Sequence, residues 1–350
     1  MTTGLSVKNL RVEIPTRNAV LTAIDDLSFD IAPGEVLGMV GESGAGKSIT
    51  GSAIIGLLEP PGRIAGGEIT LDGERIDNLP PERMRHVRGK RIGMIFQDPL
   101  TSLNPLYRIG EQLTETILTH EPMSHRAATD KAVQLLEEVG IPAASARLSS
   151  YPHQFSGGMR QRVVIALALA ADPALVIADE PTTALDVSVQ AQIIALLKRI
   201  CADRGASVLL ITHDMGVIAE TADRVCVLYA GRMAEIGPVR DVVQHPQHPY
   251  TSGLMAAIPS LVGDPDEKLA QIRGSMPRLG AIPPGCAFNP RCGFAYDRCT
   301  AERPPVYPAG ASNAACFLHD AGAASPPPQV VVEHARAAGL TLPKMREAAR

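Results

Sequence analysis

The sequence predicts an α/β layered domain that carries an inserted helical segment and is followed by an irregular C-terminal extension. Three observations predict it. Short apolar strands alternate with helix-like stretches; residues from about 98 to 171 are mostly helical in pattern; and after about residue 236 the texture turns rich in Pro, Gly and Cys. Strands alternating with helices are the pattern of a layered α/β domain.

In chain order, strand-like pieces fall at Leu5–Ile14, Leu27–Ile31, Val36–Val40, Ile69–Leu71, Ile92–Phe96, Leu175–Ala178, Ser207–Thr212 and Arg224–Tyr229, with a turn at Pro33-Gly34 before the third. Helix-like stretches cover Ser48–Leu58, Ala128–Val139, Gln161–Ala171 and Val187–Ala202. The reading divides the chain into 1–236, an extension over 237–320, and a linker and tail over 321–350 that opens on the Pro-rich Ala321–Gln329.

Composition narrows the function. Apolar residues make up 45 %, enough for a sizeable core, but aromatics are 3 % with no Trp, so that core rests on aliphatic side chains and Met. The formal net charge of −4 argues against nucleic acid as a partner, because phosphate backbones call for a basic surplus. The longest apolar run, Val163–Ala171, is about half the ~20 residues of a membrane helix. Met1–Leu10 lacks the pattern of a secretory signal. A soluble chain is expected, with any membrane part in other chains.

The chemistry is concentrated in two places. Gly41, Glu42, Ser43, Gly44, Ala45, Gly46, Lys47 and Ser48 fit the phosphate-loop pattern G-x-x-x-x-G-K-[ST] between an apolar strand and the helix-like stretch from Ser48, and Ile49 is counted with them in the nucleotide site. Glycines let successive backbone N–H groups face a phosphate, and the helix N-terminus adds its positive end. Lys47 is expected to reach the β- and γ-phosphates of ATP, and Ser48 to ligate Mg²⁺. The second place is Ala174-Leu-Val-Ile-Ala-Asp179-Glu180, an apolar strand ending in two carboxylates. There Asp179 is expected to hold Mg²⁺ through water, and Glu180 to act as general base on the attacking water.

Further motifs make a resemblance specific. Phe155-Ser156-Gly157-Gly158-Met159-Arg160-Gln161-Arg162 resembles the signature motif of ABC ATPases; Gln97 in Ile-Phe-Gln-Asp-Pro matches the Q-loop glutamine; Thr183-Ala184-Leu185-Asp186 matches the D-loop; and His213 in Ile-Thr-His-Asp matches the switch histidine. The resemblance spans residues 5–235 and implies a P-loop NTPase core with an antiparallel β subdomain and the helical insertion. It also implies a head-to-tail pair of ATPase domains, with Ser156, Gly157 and Gly158 contacting the γ-phosphate from across the interface. Gln97 would sense Mg²⁺ and the lytic water, and His213 would contact the γ-phosphate and orient Glu180. Two departures stand out. No aromatic residue lies between Met1 and Asp26 to stack on adenine, leaving Val20 or Leu21, and Met159 replaces the usual Gln.

Within that family the chain resembles ATPases of dipeptide and oligopeptide importers. The likeness rests on Met94–Pro105, on His248-Pro-Tyr-Thr251 with Ala256-Ala-Ile-Pro259, and on Gly285-Cys-Ala-Phe-Asn-Pro-Arg-Cys292 with Cys299 and Cys316. The four cysteines run C-x5-C-x6-C-x16-C, which matches neither zinc-knuckle nor ferredoxin spacing, so spacing alone leaves the metal open. Some members of the resembled group carry a [4Fe–4S] cluster at this motif, which points to Cys286, Cys292, Cys299 and Cys316 as cluster ligands, with zinc as the alternative.

The resemblance further implies two transmembrane permease subunits and a second ATPase subunit, in a heterodimer or a homodimer. It implies a periplasmic or extracellular substrate-binding protein, and a peripheral location on the cytoplasmic face of the cell membrane. Three alternatives stay open: a soluble ABC ATPase acting on nucleic acid or ribosomes, an exporter ATPase, and an importer of the same group carrying nickel or glutathione.

Overall fold

The computed structural model describes residues 4–182, 185–257 and 271–320, with the backbone alone at Leu100, Val187 and Ser188. The expected linker and tail over 321–350, and two residues of the D-loop motif, Thr183 and Ala184, lie outside the described residues. Strands β1 (Leu5–Pro15) and β2 (Val20–Ile31) open the chain, and β3 (Val36–Val40) leads through the glycine-rich loop into α1 (Lys47–Ile54). Next come β4 (Arg63–Leu71), β5 (Glu74–Arg75), α2 (Pro81–Val87) and β6 (Ile92–Ile95). The helical insertion comprises α3 (Pro99–Ser102), α4 (Ile109–His120), α5 (His125–Glu138), α6 (Ala144–Arg147) and α7 (Gly157–Ala168). The chain then alternates β7 (Leu175–Asp179), α8 (Val187–Arg204), β8 (Ser207–Ile211), α9 (Met215–Thr221), β9 (Arg224–Tyr229) and β10 (Arg232–Pro238). Beyond lie α10 (Val239–Gln244), α11 (Pro249–Ala256), α12 (Asp297–Ala301), β11 (Tyr307–Ala309) and β12 (Ser312–Ala314).

Two sheets form. One is antiparallel in the order β2-β1-β4-β5; the other has eight strands in the order β11-β12-β10-β9-β3-β8-β7-β6, parallel from β9 to β6. Its central strands are buried throughout, which is why they read as continuous apolar runs. Their alternation divides two cores. Leu37, Met39, Leu175, Ile177, Leu209 and Ile211 face the antiparallel sheet and α1, packing with Leu5, Ile24, Leu27 and Ile54. Val40, Val176, Ala178, Val208 and Leu210 face the other way, against Ile109, Leu113, Leu135, Val163, Ile165 and Ile193 of the helices. Burying one such aliphatic side chain contributes roughly 1.5–3 kcal/mol.

Local chemistry sets the helix boundaries. Ser124 starts α5 by accepting the N–H of Ala127, and Asp214 starts α9 by accepting those of Gly216 and Val217. Gly205 ends α8 in the left-handed conformation, with φ of 66°.

Two differences from the sequence reading have physical causes. Strand β2 begins at Val20, seven residues before the expected Leu27, because Asp25 and Asp26 do not break it. They sit in a bulged stretch where Asp26 takes φ of 62° and accepts a 2.7 Å hydrogen bond from Asn9 Nδ2. In addition, β10 runs across the expected boundary at residue 236. Strand β12 pairs with it through Glu235↔Ala314 and Ile236↔Asn313, so the extension continues the core sheet.

At that junction Glu235 is fully buried and accepts the backbone N–H groups of Gln247 and His248. Burial pushes its carboxyl up to about 7, the N–H donors opposing. A carboxyl raised from 4.5 in the fold adds stability below about pH 4.5, and that contribution is lost as pH rises through about 7. Replacing it with Gln, which keeps one acceptor oxygen, is therefore expected to flatten the fall in stability between pH 5 and pH 8. The upper bound is about 3 kcal/mol at about 1.4 kcal/mol per pH unit. Denaturant unfolding of both proteins at the two pH values checks this; parallel curves contradict it.

Candidate functional site

The phosphate loop is shaped by glycines at positive φ. Gly46 sits at φ of 106°, and a Cβ there would come within 2.6 Å of Ile24 Cδ1; Gly41 sits at φ of 155°, where a Cβ would meet Leu228 O at 2.4 Å. The loop thus lies tight against β2 and β9, at the C-terminal end of β3. Lys47 is 6 % exposed and folds over the loop, donating to Gly41 O at 2.8 Å and Glu42 O at 3.3 Å. Burial lowers its pKa, with the carboxylates of Glu180 and Asp179 opposing, so the buried ammonium is matched to an incoming anion. Ile49, on the first turn of α1, anchors the helix by packing on the smaller core.

Ser48 Oγ donates to Asp179 Oδ1 at 3.0 Å. Neighbouring oxygens around an octahedral Mg²⁺ lie about 2.9 Å apart, given Mg–O distances near 2.1 Å, so this hydroxyl and carboxylate fit the ion. Asp179 is buried at the tip of β7, and burial raises its pKa, with Glu180 adding to the rise. A bound cation would hold it ionised.

Glu180 follows at φ of 47°, a left-handed conformation uncommon for a side chain of its size, and its N–H donates to Ile211 O on β8. The turn swings its carboxylate between two neighbours. Gln97 Nε2 donates to Oε2 at 2.9 Å, and His213 Nδ1 lies 3.3 Å from Oε1. Gln97 comes from the end of β6 and His213 from the end of β8, so the tips of adjacent parallel strands deliver all three.

The signature residues lie elsewhere. Ser156 caps α7, accepting the N–H of Met159 at 3.4 Å, and Ser156 and Gly157 are exposed. A Cβ on Gly158 would meet Val189 Cγ1 at 2.9 Å, and one on Gly157 would meet Leu185 Cδ2 at 3.5 Å, so their neighbours are the start of α8 rather than the phosphate loop. Asp186, at the N-terminus of α8, is exposed. Met159 is half-buried against the larger core.

Cys286, Cys292, Cys299 and Cys316 line one small cavity together with His248, Phe288, Phe294 and Phe317. Burial raises all four thiols, Cys292 to about 12. At Cys292 the backbone N–H of Phe294 donates to the sulfur at 3.4 Å and pulls the other way. Among the described residues, however, no three His, Cys, Asp or Glu side chains gather closely enough to hold one metal ion, so the side-chain geometry supports neither the [4Fe–4S] nor the zinc expectation.

Three residues of the extension reach the loop without having been singled out for it in the sequence. Tyr250 OH accepts the N–H of Glu42, Arg291 pairs with the Glu42 carboxylate, and Met276 Cγ lies 4.0 Å from the position of a Cβ on Gly44. A strong Tyr and a strong Arg inside the His248–Thr251 and Gly285–Cys292 stretches were the available signal.

Similarity agrees with this geometry. The ABC transporter family model matches residues 24–183, and that of the oligopeptide/dipeptide transporter C-terminal region matches residues 234–299. Oligopeptide transport ATP-binding protein OppD of Bacillus subtilis is 49 % identical over 304 residues, covering 87 % of this chain and 85 % of that protein. The protein of the same name from Escherichia coli K12 is 49 % identical over 300 residues, covering 86 % and 88 %. The dimeric structure of MJ0796 bound to ADP and Pi superimposes with a TM-score of 0.61 at 28 % identity, covering 67 % of this chain and 99 % of that one. For cbiO1 of Clostridium perfringens the values are 0.60 and 25 %, with 70 % and 92 % covered. Among the described residues no helix is long and apolar enough to cross a membrane. With two family models matched in succession and relatives matched over most of their length, this chain belongs to the ATP-binding proteins of the ABC transporter family, in the group that carries the oligopeptide/dipeptide transporter C-terminal region.

Proposed function

We propose that the chain binds ATP with Mg²⁺ and hydrolyses it to power import of dipeptides and oligopeptides through two permease subunits. In this reading it works peripherally, on the cytoplasmic face of the cell membrane, paired with a second ATPase subunit. A substrate-binding protein delivers the cargo from outside. The observation that carries the ATPase reading is the convergence of Gln97 and His213 on Glu180, beside Lys47, Ser48 and Asp179. The cargo reading rests on the names and identity of the relatives.

Each residue has a part in that reaction. Lys47 and the loop N–H groups hold the phosphates. Ser48 and Asp179 would hold Mg²⁺, which when bound neutralises phosphate charge. Glu180 takes the proton of the attacking water, a role suited to a carboxylate held at fixed orientation by Gln97. His213 steadies the other carboxylate oxygen and faces the γ-phosphate. Ser156 and Gly157, exposed on the helical insertion, act with the half-buried Gly158 on the nucleotide of a facing copy, with Asp186 near the same interface. The dimeric state of MJ0796 supports that arrangement. Phosphate release by the chain assembled with its permease partners tests the reading; none released with ATP and Mg²⁺ contradicts it.

The four-cysteine cavity is proposed to hold a [4Fe–4S] cluster. Four thiols spread around one cavity rather than gathered on one point, with the Phe294 N–H on the Cys292 sulfur, suit a polynuclear cluster better than a single ion. Such a group cross-links four points of a segment with few regular elements, a structural task. Replacing Cys292 with Ser is expected to remove most of the iron from anaerobically purified protein and to open residues 280–320 to protease, without abolishing ATP binding. Unchanged iron content in that variant would rule the assignment out.

A further inference from the structure

We infer that Tyr250 and Arg291 are positioning residues of the phosphate loop, holding Glu42 so that the C-terminal extension sets how well the loop takes ATP. The inference rests on the ATP-binding reading above. Glu42 is the second residue of the loop, and the extension reaches both its N–H and its carboxylate. Its N–H donates to Tyr250 OH at 2.9 Å. Arg291 Nη1 lies 3.0 Å from its Oε1 and donates to its Oε2 at 3.1 Å. Its carbonyl, with that of Gly41, accepts from the Lys47 ammonium. The peptide that the extension fixes is therefore one of the two that position the phosphate-binding lysine.

The two extension residues are themselves built in. Tyr250 is fully buried, and its ring packs against those of Tyr229 and Phe288 with centroids 4.7 and 5.4 Å away. The Arg291 side chain is 7 % exposed. Its Nη1 also reaches Tyr229 OH at 3.3 Å, its Nε donates to Arg273 O at 2.8 Å, and its guanidinium lies 5.7 Å from the Tyr229 centroid. A buried, bonded guanidinium opposite a half-buried carboxylate is costly to separate, because losing Glu42 strands the charge of Arg291. Among the described residues, Arg291 and Tyr250 are the extension side chains that bond Glu42. Arg291 precedes Cys292 directly, and Phe288 follows Cys286 by two, so the cysteine cavity and the loop share one rigid aromatic block.

The predicted consequence is a loss of nucleotide affinity separable from folding. In the purified full chain, Arg291→Met is expected to raise the Kd for ATP about tenfold by calorimetry, and Tyr250→Phe, which deletes one hydroxyl, about threefold. In the assembled transporter, the KM of Arg291→Met for ATP rises about tenfold while kcat changes less than threefold. Arg291→Lys, which keeps the charge, recovers part of the loss. Because Glu42 and Arg291 act through each other, Glu42→Gln combined with Arg291→Met should lose no more than the worse single variant. Thermal midpoint and iron content of Tyr250→Phe stay at wild-type values.

Wild-type affinity in both Arg291→Met and Tyr250→Phe overturns the inference while leaving the ATPase reading intact. So does a loss of affinity that tracks an equal loss of iron and thermal stability in Tyr250→Phe. If Arg291→Met fails to fold, Tyr250→Phe and Glu42→Gln decide the matter by the same readouts. Absence of ATP binding by the wild-type chain would instead defeat the reading on which the inference stands.

Discussion

Replacement of Glu180 by Gln is expected to leave ATP affinity within about threefold of wild type and to lower turnover by roughly 10²–10⁴, the range for losing a positioned general base. The substitution removes one proton acceptor and little else. Gln keeps the length of the side chain, tolerates the left-handed φ of 47° as well as Glu does, and leaves the Glu180 N–H free to hold Ile211 O. Lys47, Ser48 and Asp179, which face the phosphates and the cation, are untouched. Binding and turnover therefore separate: calorimetry with ATP should look normal while phosphate release nearly stops. Full hydrolysis by this variant would mean that the proton goes to another group.

The second large effect reverses that separation. Lys47→Ala is expected to weaken ATP binding itself, by roughly 10- to 100-fold, the range for hydrogen bonds to a charged group. Lys47 is nearly buried, and its ammonium bridges the carbonyls of Gly41 and Glu42. Removing it takes away both the cation that meets the phosphates and the brace that shapes the loop. An unchanged Kd in this variant would show that the loop N–H groups alone carry phosphate binding.

Much of the site was legible because it is local. The phosphate loop, Gln97, Asp179-Glu180 and His213 each lie at the end of one strand, and a strand buried on both faces announces itself as an apolar run such as Leu175–Ala178 or Val36–Val40. Glu180 and His213 each follow directly from such a strand, so the tips that bring them together could be inferred in order. What was not legible depends on distance along the chain. Glu42 meets Tyr250 and Arg291 at separations of 208 and 249 residues, and no periodicity reports such a meeting. The same holds for β12, a three-residue strand that joins the core sheet through the edge of β10 while pairing with β11 on its other side. Polar residues misled in the other direction. Asp25 and Asp26 look like a break in β2, yet the bulge admits them, and Arg232 and Arg303 pair with Asp25. The four cysteines were visible as a group, but only the fold brings all four to one cavity.

The central claim, that ATP hydrolysis at this site powers peptide import, is tested most directly by uptake of a radiolabelled oligopeptide. The assay compares cells deleted for this chain with the same cells complemented by wild type or by Glu180→Gln. The account predicts that uptake is lost on deletion, restored by the wild-type chain, and not restored by Glu180→Gln although that variant still binds ATP. Unaffected uptake in the deleted cells, or full restoration by Glu180→Gln, would contradict it.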